Sequence, residues 1–223
     1  LTNAGYIKRQ PAASYSAQHR GGRGIIGMST KEEDYIERVV VVDSHSYLML
    51  FTNKGKVYCK EGYEIPEAGR TAKGTAIINV ISIEQGEKIT AVIPIKEFEA
   101  DKFIFMATNR GVVKKTNLEL FKNLNKNGLY SINLDDKEEL IGVELTDGNS
   151  EIVLATRNGI AIRFDEQDVR PMGRTAHGVR GITLNYGDEV VAMDSVANEE
   201  YEVLTATELG MGKRTAVSEY RKQ

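Results

Sequence analysis

Thr108-Asn109-Arg110-Gly111-Val112-Val113-Lys114-Lys115 is one copy of a phrase that the chain states five times. The others are Thr2-Asn3-Ala4-Gly5-Tyr6-Ile7-Lys8-Arg9, Thr52-Asn53-Lys54-Gly55-Lys56-Val57-Tyr58, Thr156-Arg157-Asn158-Gly159-Ile160-Ala161-Ile162-Arg163 and Thr207-Glu208-Leu209-Gly210-Met211-Gly212-Lys213-Arg214. An apolar run leads into the phrase at Tyr47-Leu48-Met49-Leu50-Phe51, Phe103-Ile104-Phe105-Met106 and Ile152-Val153-Leu154-Ala155. A short Asn/Gly turn then supplies the positive φ that Gly or Asn adopts at little cost, and a strand of alternating basic and apolar residues runs out. That is a β-hairpin. The turn glycines, Gly5, Gly55, Gly111, Gly159 and Gly210, stand 50, 56, 48 and 51 residues apart, a period in the range of propeller blades and arrays.

A second landmark follows the turn glycine by 19 residues at Gly24, Gly74 and Gly178, and by 17 at Gly128. An arginine precedes it by four residues at Arg20, Arg70 and Arg174, while the third repeat has Leu124 there. Beyond it come β-rich stretches at Ala76-Ile77-Ile78-Asn79-Val80, Leu129-Tyr130-Ser131-Ile132-Asn133-Leu134 and Val179-Arg180-Gly181-Ile182-Thr183-Leu184. A last strand follows at Ile89-Thr90-Ala91-Val92-Ile93, Leu140-Ile141-Gly142-Val143 and Val190-Val191-Ala192-Met193. About four strands per repeat is the content of a propeller blade. Helical periodicity is scarce. The expected fold is all-β, a propeller-like array of four-stranded blades forming one domain over residues 1–223. Leu1-Thr2-Asn3-Ala4-Gly5 reads as the middle of a unit, and Tyr220 and Gln223 stand in the fifth repeat where Tyr15 and Gln18 stand in the first. A fragment truncated at both ends is therefore expected.

Composition excludes several classes. One cysteine, Cys59, rules out an intrachain disulfide framework and a cysteine-based zinc site. His19, His45 and His177 lack metal-ligand spacing. No apolar run approaches the ~18 residues of a membrane span. The reading is a metal-free, cytoplasmic protein without a membrane partner. Net charge is −3, but for a nucleic-acid binder the distribution of charge counts for more than its sum.

The first repeat carries Gln18-His19-Arg20-Gly21-Gly22-Arg23-Gly24. Its two guanidinium groups can fork onto phosphate oxygens, and its glycines let backbone N–H groups approach an anion. The bland reading is a basic surface loop. The segment resembles the GyrA box of the C-terminal domain of bacterial DNA gyrase A subunits, with His19 where the family usually carries Arg. Tyr63-Glu64-Ile65-Pro66, Ala161-Ile162-Arg163-Phe164 and Asp168-Val169-Arg170-Pro171-Met172-Gly173-Arg174 are similar to the blades of that domain. The resemblance covers essentially the whole chain. It implies a β-pinwheel, a propeller variant whose blades exchange strands, with duplex DNA around its rim. It also implies two protein partners, the N-terminal part of the gyrase A polypeptide and the gyrase B polypeptide. A nucleoid location is implied too, with ATP and Mg used elsewhere in the assembly and no cofactor in this chain.

Basic residues recur at matching places in the repeat. Lys8, Arg9, Lys56, Lys60, Lys114, Lys115, Arg163, Lys213 and Arg214 lie on outgoing strands, and Arg70, Lys73, Arg174 and Arg180 in the second segments. Lysines also blunt exposed strands without any ligand, but recurrence would turn these into a basic rim, with clusters such as Lys31-Glu32-Glu33-Asp34 and Asp135-Asp136-Lys137-Glu138-Glu139 on acidic faces. Such a rim holds phosphates without reading bases. Gly22, Gly24 and Gly27 spell G-x-G-x-x-G, yet neither the strand before nor the helix after that a dinucleotide site requires is legible. No Walker A motif occurs. The cleaving tyrosine of the gyrase family follows an Arg, and none of the ten tyrosines here does. The expectation is a non-catalytic part of an ATP-hydrolysing type II topoisomerase that binds, bends and wraps DNA. The alternatives are the corresponding domain of topoisomerase IV and a protein-binding propeller scaffold.

Overall fold

The structure is a computed structural model that describes residues 1–14, 27–30, 33–124, 127–198, 200–207 and 209–223. The first repeat contributes β1 (Tyr6–Ile7). The second contributes β2 (Tyr47–Thr52), β3 (Lys56–Glu61), β4 (Thr75–Ala76) and β5 (Ile89–Ile95). The third gives β6 (Phe103–Thr108), β7 (Val112–Asn117), β8 (Leu129–Tyr130) and β9 (Leu140–Thr146). The fourth gives β10 (Glu151–Thr156), β11 (Ala161–Asp165), β12 (Val179–Arg180) and β13 (Val190–Val196), and the fifth β14 (Glu202–Ala206) and β15 (Gly212–Ala216).

The phrase that opens each repeat is the hairpin the sequence predicts. Phe51 faces Val57 across one turn and Ala107 faces Val113 across the next. The five turn glycines have φ between 75° and 84°. The N–H of Gly111 donates to Thr108 O at 3.0 Å, and the threonine hydroxyl accepts from Val112 N at 3.2 Å. The same threonine bond recurs at Thr2, Thr52 and Thr156.

Sheets run in the order last strand, incoming strand, outgoing strand, with a fourth strand from the next repeat: β5-β2-β3-β8 and β9-β6-β7-β12. β4 likewise pairs with β1. Strand exchange makes the second and third sheets four-stranded only with a strand from the next repeat. The incoming strands β2 and β6 are covered on both faces, so they read as unbroken apolar runs rather than alternating ones. Leu48, Met49, Leu50 and Phe51 are buried, as are Ile104, Phe105, Met106 and Ala107.

The chain divides into two compact units. The first comprises Leu1–Thr52, Lys56–Glu97 and Leu124–Leu129, the second Asn53–Gly55, Phe98–Asn123 and Tyr130–Gln223. In the first, Ile7, Leu48, Leu50, Tyr58, Ile77 and Ile89 form one cluster. In the second, Phe105 and Val113 of the third repeat pack with Ile152, Leu154 and Phe164 of the fourth.

The β-rich stretches after the second glycine are shorter than expected. Each is a two-residue strand, because the chain beyond it must turn inward. Ile132 and Ile182 pass beneath the turn glycines Gly55 and Gly111, where a Cβ would lie 2.9 and 2.7 Å from the isoleucine Cγ2. Ser131 N and Gly181 N each donate to the carbonyl of that glycine at 2.8 Å. The turn glycine therefore serves twice, for its φ and for the room it leaves.

Candidate nucleic-acid interface

The loop that carries the second landmark is fastened at both ends to the outgoing strand of the preceding repeat. Its near end runs parallel to that strand: Glu67 bridges Arg9, Pro171 bridges Lys115, and Lys222 bridges Arg163. Its far end returns antiparallel, with Thr75 opposite Ile7 and Val179 opposite Val113. Between the two, Gly74 and Gly178 cross the strand so closely that a Cβ would lie 2.6 Å from Ile7 O and 2.5 Å from Val113 O. Both have positive φ, 87° and 113°. This is the physical reason for the second glycine; at the tip of the loop Arg70 is exposed and Arg174 half-buried.

A lysine of the preceding repeat fills the inside of each loop. Lys8 Nζ lies 3.2 Å from Gly69 O, 2.6 Å from Arg70 O, 2.9 Å from Ala72 O and 2.9 Å from Gly27 O, four acceptors that share its three N–H groups. Lys114 Nζ donates to Ser131 O at 2.7 Å and to Arg174 O. Burial pushes the Lys114 ammonium down to about 7, helped by the nearby Arg174 charge, and burial lowers Lys8 in the same direction. The next residue on each strand also turns inward. Arg9 Nε donates to Ile65 O at 3.2 Å, Lys115 Nζ to Glu166 O at 2.7 Å, and Arg163 Nη1 to Val217 O at 3.0 Å and Tyr220 O at 3.1 Å. Four of these acceptor residues, Ile65, Glu166, Val217 and Tyr220, lie in or just after the 3₁₀ turn that succeeds an outgoing strand, at Gly62–Glu64, Glu166–Asp168 and Val217–Glu219.

The model of the DNA gyrase C-terminal domain, beta-propeller, matches residues 1–43, 46–96, 102–147, 150–197 and 201–223. The chain belongs to the DNA gyrase C-terminal domain family. It is 48% identical to the DNA gyrase A subunits of Staphylococcus epidermidis strain ATCC 12228 and of Staphylococcus aureus strain NCTC 8325, over 99% of its own length. It spans 25% of the length of those curated relatives. Among solved structures it is similar to the C-terminal domain of DNA topoisomerase IV, with TM-score 0.83 and 32% identity over 100% of this chain and 68% of that one. It is also similar to the DNA gyrase A C-terminal domain, with TM-score 0.80 and 29% identity over 100% of this chain and 72% of that one. The fold is thus an all-β, propeller-like β-pinwheel.

Within this gyrase-domain framework the basic residues separate into two groups. Lys114, Lys115 and Arg163 are 0%, 4% and 2% exposed. They were expected on a solvent-facing rim, and the structure puts them inside. The reason is that the outgoing strand is covered by the next repeat's loop, whose unpaired carbonyls need donors. Lys8 and Arg9 belong with them, Arg9 also pairing Glu67 at 3.1 Å. Lys56 is paired with Glu84, and Lys60 with Glu64 at 2.9 Å. The outward group is Arg70, Arg180 and Lys213, all exposed, with Arg174 and Lys73 half-buried. Lys73 lies over the Tyr6 ring at 4.2 Å. Arg214 is exposed and pairs Glu202 at 2.9 Å. The box residues Gln18, His19, Arg20, Gly21, Gly22, Arg23 and Gly24 lie outside the described residues.

The acidic clusters also divide. Glu87 accepts from Thr52 Oγ1 at 2.6 Å, Tyr58 OH at 3.2 Å and Glu84 N at 2.8 Å. Glu138 accepts from Thr108 Oγ1 at 2.6 Å and Asp135 N at 3.0 Å. Both carboxylates are buried, so they fasten the hairpin turn rather than face solvent. The recurring threonine three residues before each turn glycine was the available signal. Asp135, Glu138 and His177 bring one ligand atom each within 4.8 Å of one another. The Nδ1 of His177 already faces Asn133 O at 3.0 Å, and both Glu138 oxygens accept hydrogen bonds. Cys59 has its thiol pushed up to about 11 by burial and then by Glu64 and Glu61, the reverse of what a reactive thiolate requires.

Proposed function

We propose that this chain binds double-stranded DNA through its loop-tip cations, without reading bases, and bends and wraps the duplex. One observation carries the reading. Arg70 and Arg174, at the same place in two repeats, stand on loops tied at both ends to the strand beneath. Repeated guanidinium groups carried on a backbone tied at both ends suit phosphate contact. Bending a 20–30 bp site strongly costs on the order of 1–6 kcal/mol, so contacts must be distributed along the curve. The Gln18-to-Gly24 box would fasten DNA at a further point. In the whole enzyme, the wrap would direct strand passage toward negative supercoiling, powered by ATP hydrolysis in the gyrase B polypeptide. This chain would take no catalytic part and carry no cofactor, working on the bacterial nucleoid in the cytoplasm with the N-terminal part of the gyrase A polypeptide. Among the described residues no helix is long and apolar enough to cross a membrane.

The topoisomerase IV domain shares the fold, so the fold does not separate the two readings. The 48% identity to gyrase A subunits favours the first. The test is energy transfer between the ends of a duplex about one persistence length (~150 bp) long, titrated with the chain at two salt concentrations. Approach of the ends that fades with salt, and is lost in Arg20→Ala/Arg23→Ala while binding persists, supports wrapping anchored by the box. Binding without approach confines the chain to DNA binding, and no binding at low salt leaves a protein-binding scaffold.

A further inference from the structure

We propose that Lys8 and Lys114 are positioning residues for DNA contact, each holding the main-chain carbonyl of the arginine at the tip of the next repeat's loop and so fixing where that guanidinium meets a phosphate. The proposal rests on the DNA-binding reading above and deepens it. The two lysines occupy one register, three residues after the turn glycines Gly5 and Gly111. The two captured arginines occupy another, four residues before the second glycines Gly74 and Gly178. Lys8 reaches Arg70 O at 2.6 Å, and Lys114 reaches Arg174 O. The arrangement recurs in each compact unit, so it is no accident of one loop.

The chain also contains the matching exception. Where the second repeat meets the third, the lysine position holds Tyr58, and the position four residues before the second glycine, Gly128, holds Leu124. Tyr58 OH instead lies 3.0 Å from Ser82 O and 3.2 Å from Glu87 Oε2, which share its one proton, and Gly128 packs against its ring. Lysine and arginine are lost together. A loop can therefore be seated on this strand by an apolar ring, and the buried ammonium is no requirement of the fold. Burying a cation is costly, and an apolar group of similar volume commonly serves stability as well or better. The cost is met where an outward arginine must be held still. Its consequence is that loop-tip arginines come from the second and fourth repeats, while the third repeat's loop has no arginine.

Labelled duplex is titrated with the chain as Lys114→Met, Arg174→Ala and the double variant, each across a salt series, with thermal unfolding in parallel. Loss of one phosphate contact lowers the salt slope by about 0.9, which at 0.1 M salt is about an eightfold loss of affinity. The expected result is that each single variant shows this loss and the double variant shows no more than either. Should Arg174→Ala weaken binding while Lys114→Met leaves it unchanged, or should the two losses multiply, the positioning role is wrong although DNA binding stands. A wild-type chain that fails to bind at low salt removes the DNA reading itself. If Lys114→Met does not fold, the Lys8→Met and Arg70→Ala cycle in the other unit decides. Unfolding of both methionine variants would assign the lysines to the fold and overturn the proposal.

Discussion

Lys114 should make the stability of the domain rise with pH in the alkaline range. Its ammonium is 0% exposed and its two acceptors are carbonyls rather than a carboxylate, so burial is not compensated by an opposite charge. Its pKa falls to about 7, against about 10.4 for an ordinary lysine. Between those values the unfolded chain binds a proton that the folded chain does not. Stability then rises with pH from about 7 to about 10, and below 7 both states are protonated and the effect is flat. Each pH unit in the window changes the folding equilibrium about tenfold, so pH 7.5 to 9.0 is worth about 2 kcal/mol. For a domain of this size that is a Tm difference of about 4–8 °C. The perturbation is Lys114→Met, which removes the titration while keeping an unbranched side chain. Calorimetry of both proteins at the two pH values gives the quantity needed: the change in wild-type Tm minus the change in the variant's. Other titrating groups and any fixed offset from the two carbonyls cancel in that difference. Parallel profiles would refute the reasoning and mean that the ammonium reaches water in the folded protein.

Gly178→Ala should destabilise by more than about 2 kcal/mol, because it combines positive φ with a Cβ 2.5 Å from Val113 O. Urea unfolding measures it, and a neutral substitution would mean the loop does not cross the strand as described. Arg163→Met should cost about 2–3 kcal/mol, since it strips donors from Val217 O and Tyr220 O and a partner from Glu151. The hydrogen bond from Arg163 is the main reason that the Glu151 carboxyl lies below its ordinary range. Its stabilisation is present above the ordinary carboxylate value and is lost as pH falls through the depressed one. The variant should therefore have a flatter acid limb than the wild type in a pH series of Tm. Cys59 should react slowly with a thiol reagent at pH 8 and at the full rate of a free thiol once the chain is unfolded, because its thiol stays protonated until about pH 11.

The hairpin phrase was legible because its physics is local: an apolar run, a glycine at positive φ and a polar exit strand. The repeat of that phrase then disclosed the blade array. What local reading missed was the coverage of the outgoing strand. Val113-Lys114-Lys115 puts one lysine on each face of a strand, and a lysine in a strand ordinarily faces water. Only the next repeat's loop, tied at Pro171 and Val179, turns those ammonium groups into donors for enclosed carbonyls. Glu138 differs from the sequence expectation for a related reason: a buried carboxylate in a five-residue charged run is indistinguishable from its exposed neighbours without the Thr108 hydroxyl beside it. Arg70 and Arg174, by contrast, were read from their spacing to the second glycine, and the crossing at Gly74 and Gly178 supplies the reason for that spacing.

The most direct test of the electrostatic grip is the salt dependence of duplex affinity for the wild-type chain and for Arg70→Ala/Arg174→Ala, on two unrelated sequences. Phosphate-only contact predicts equal affinity for both sequences and a slope of log K against log salt smaller by about 1.8 in the variant, two contacts at about 0.9 each. An unchanged slope, or a strong preference for one sequence, would contradict it.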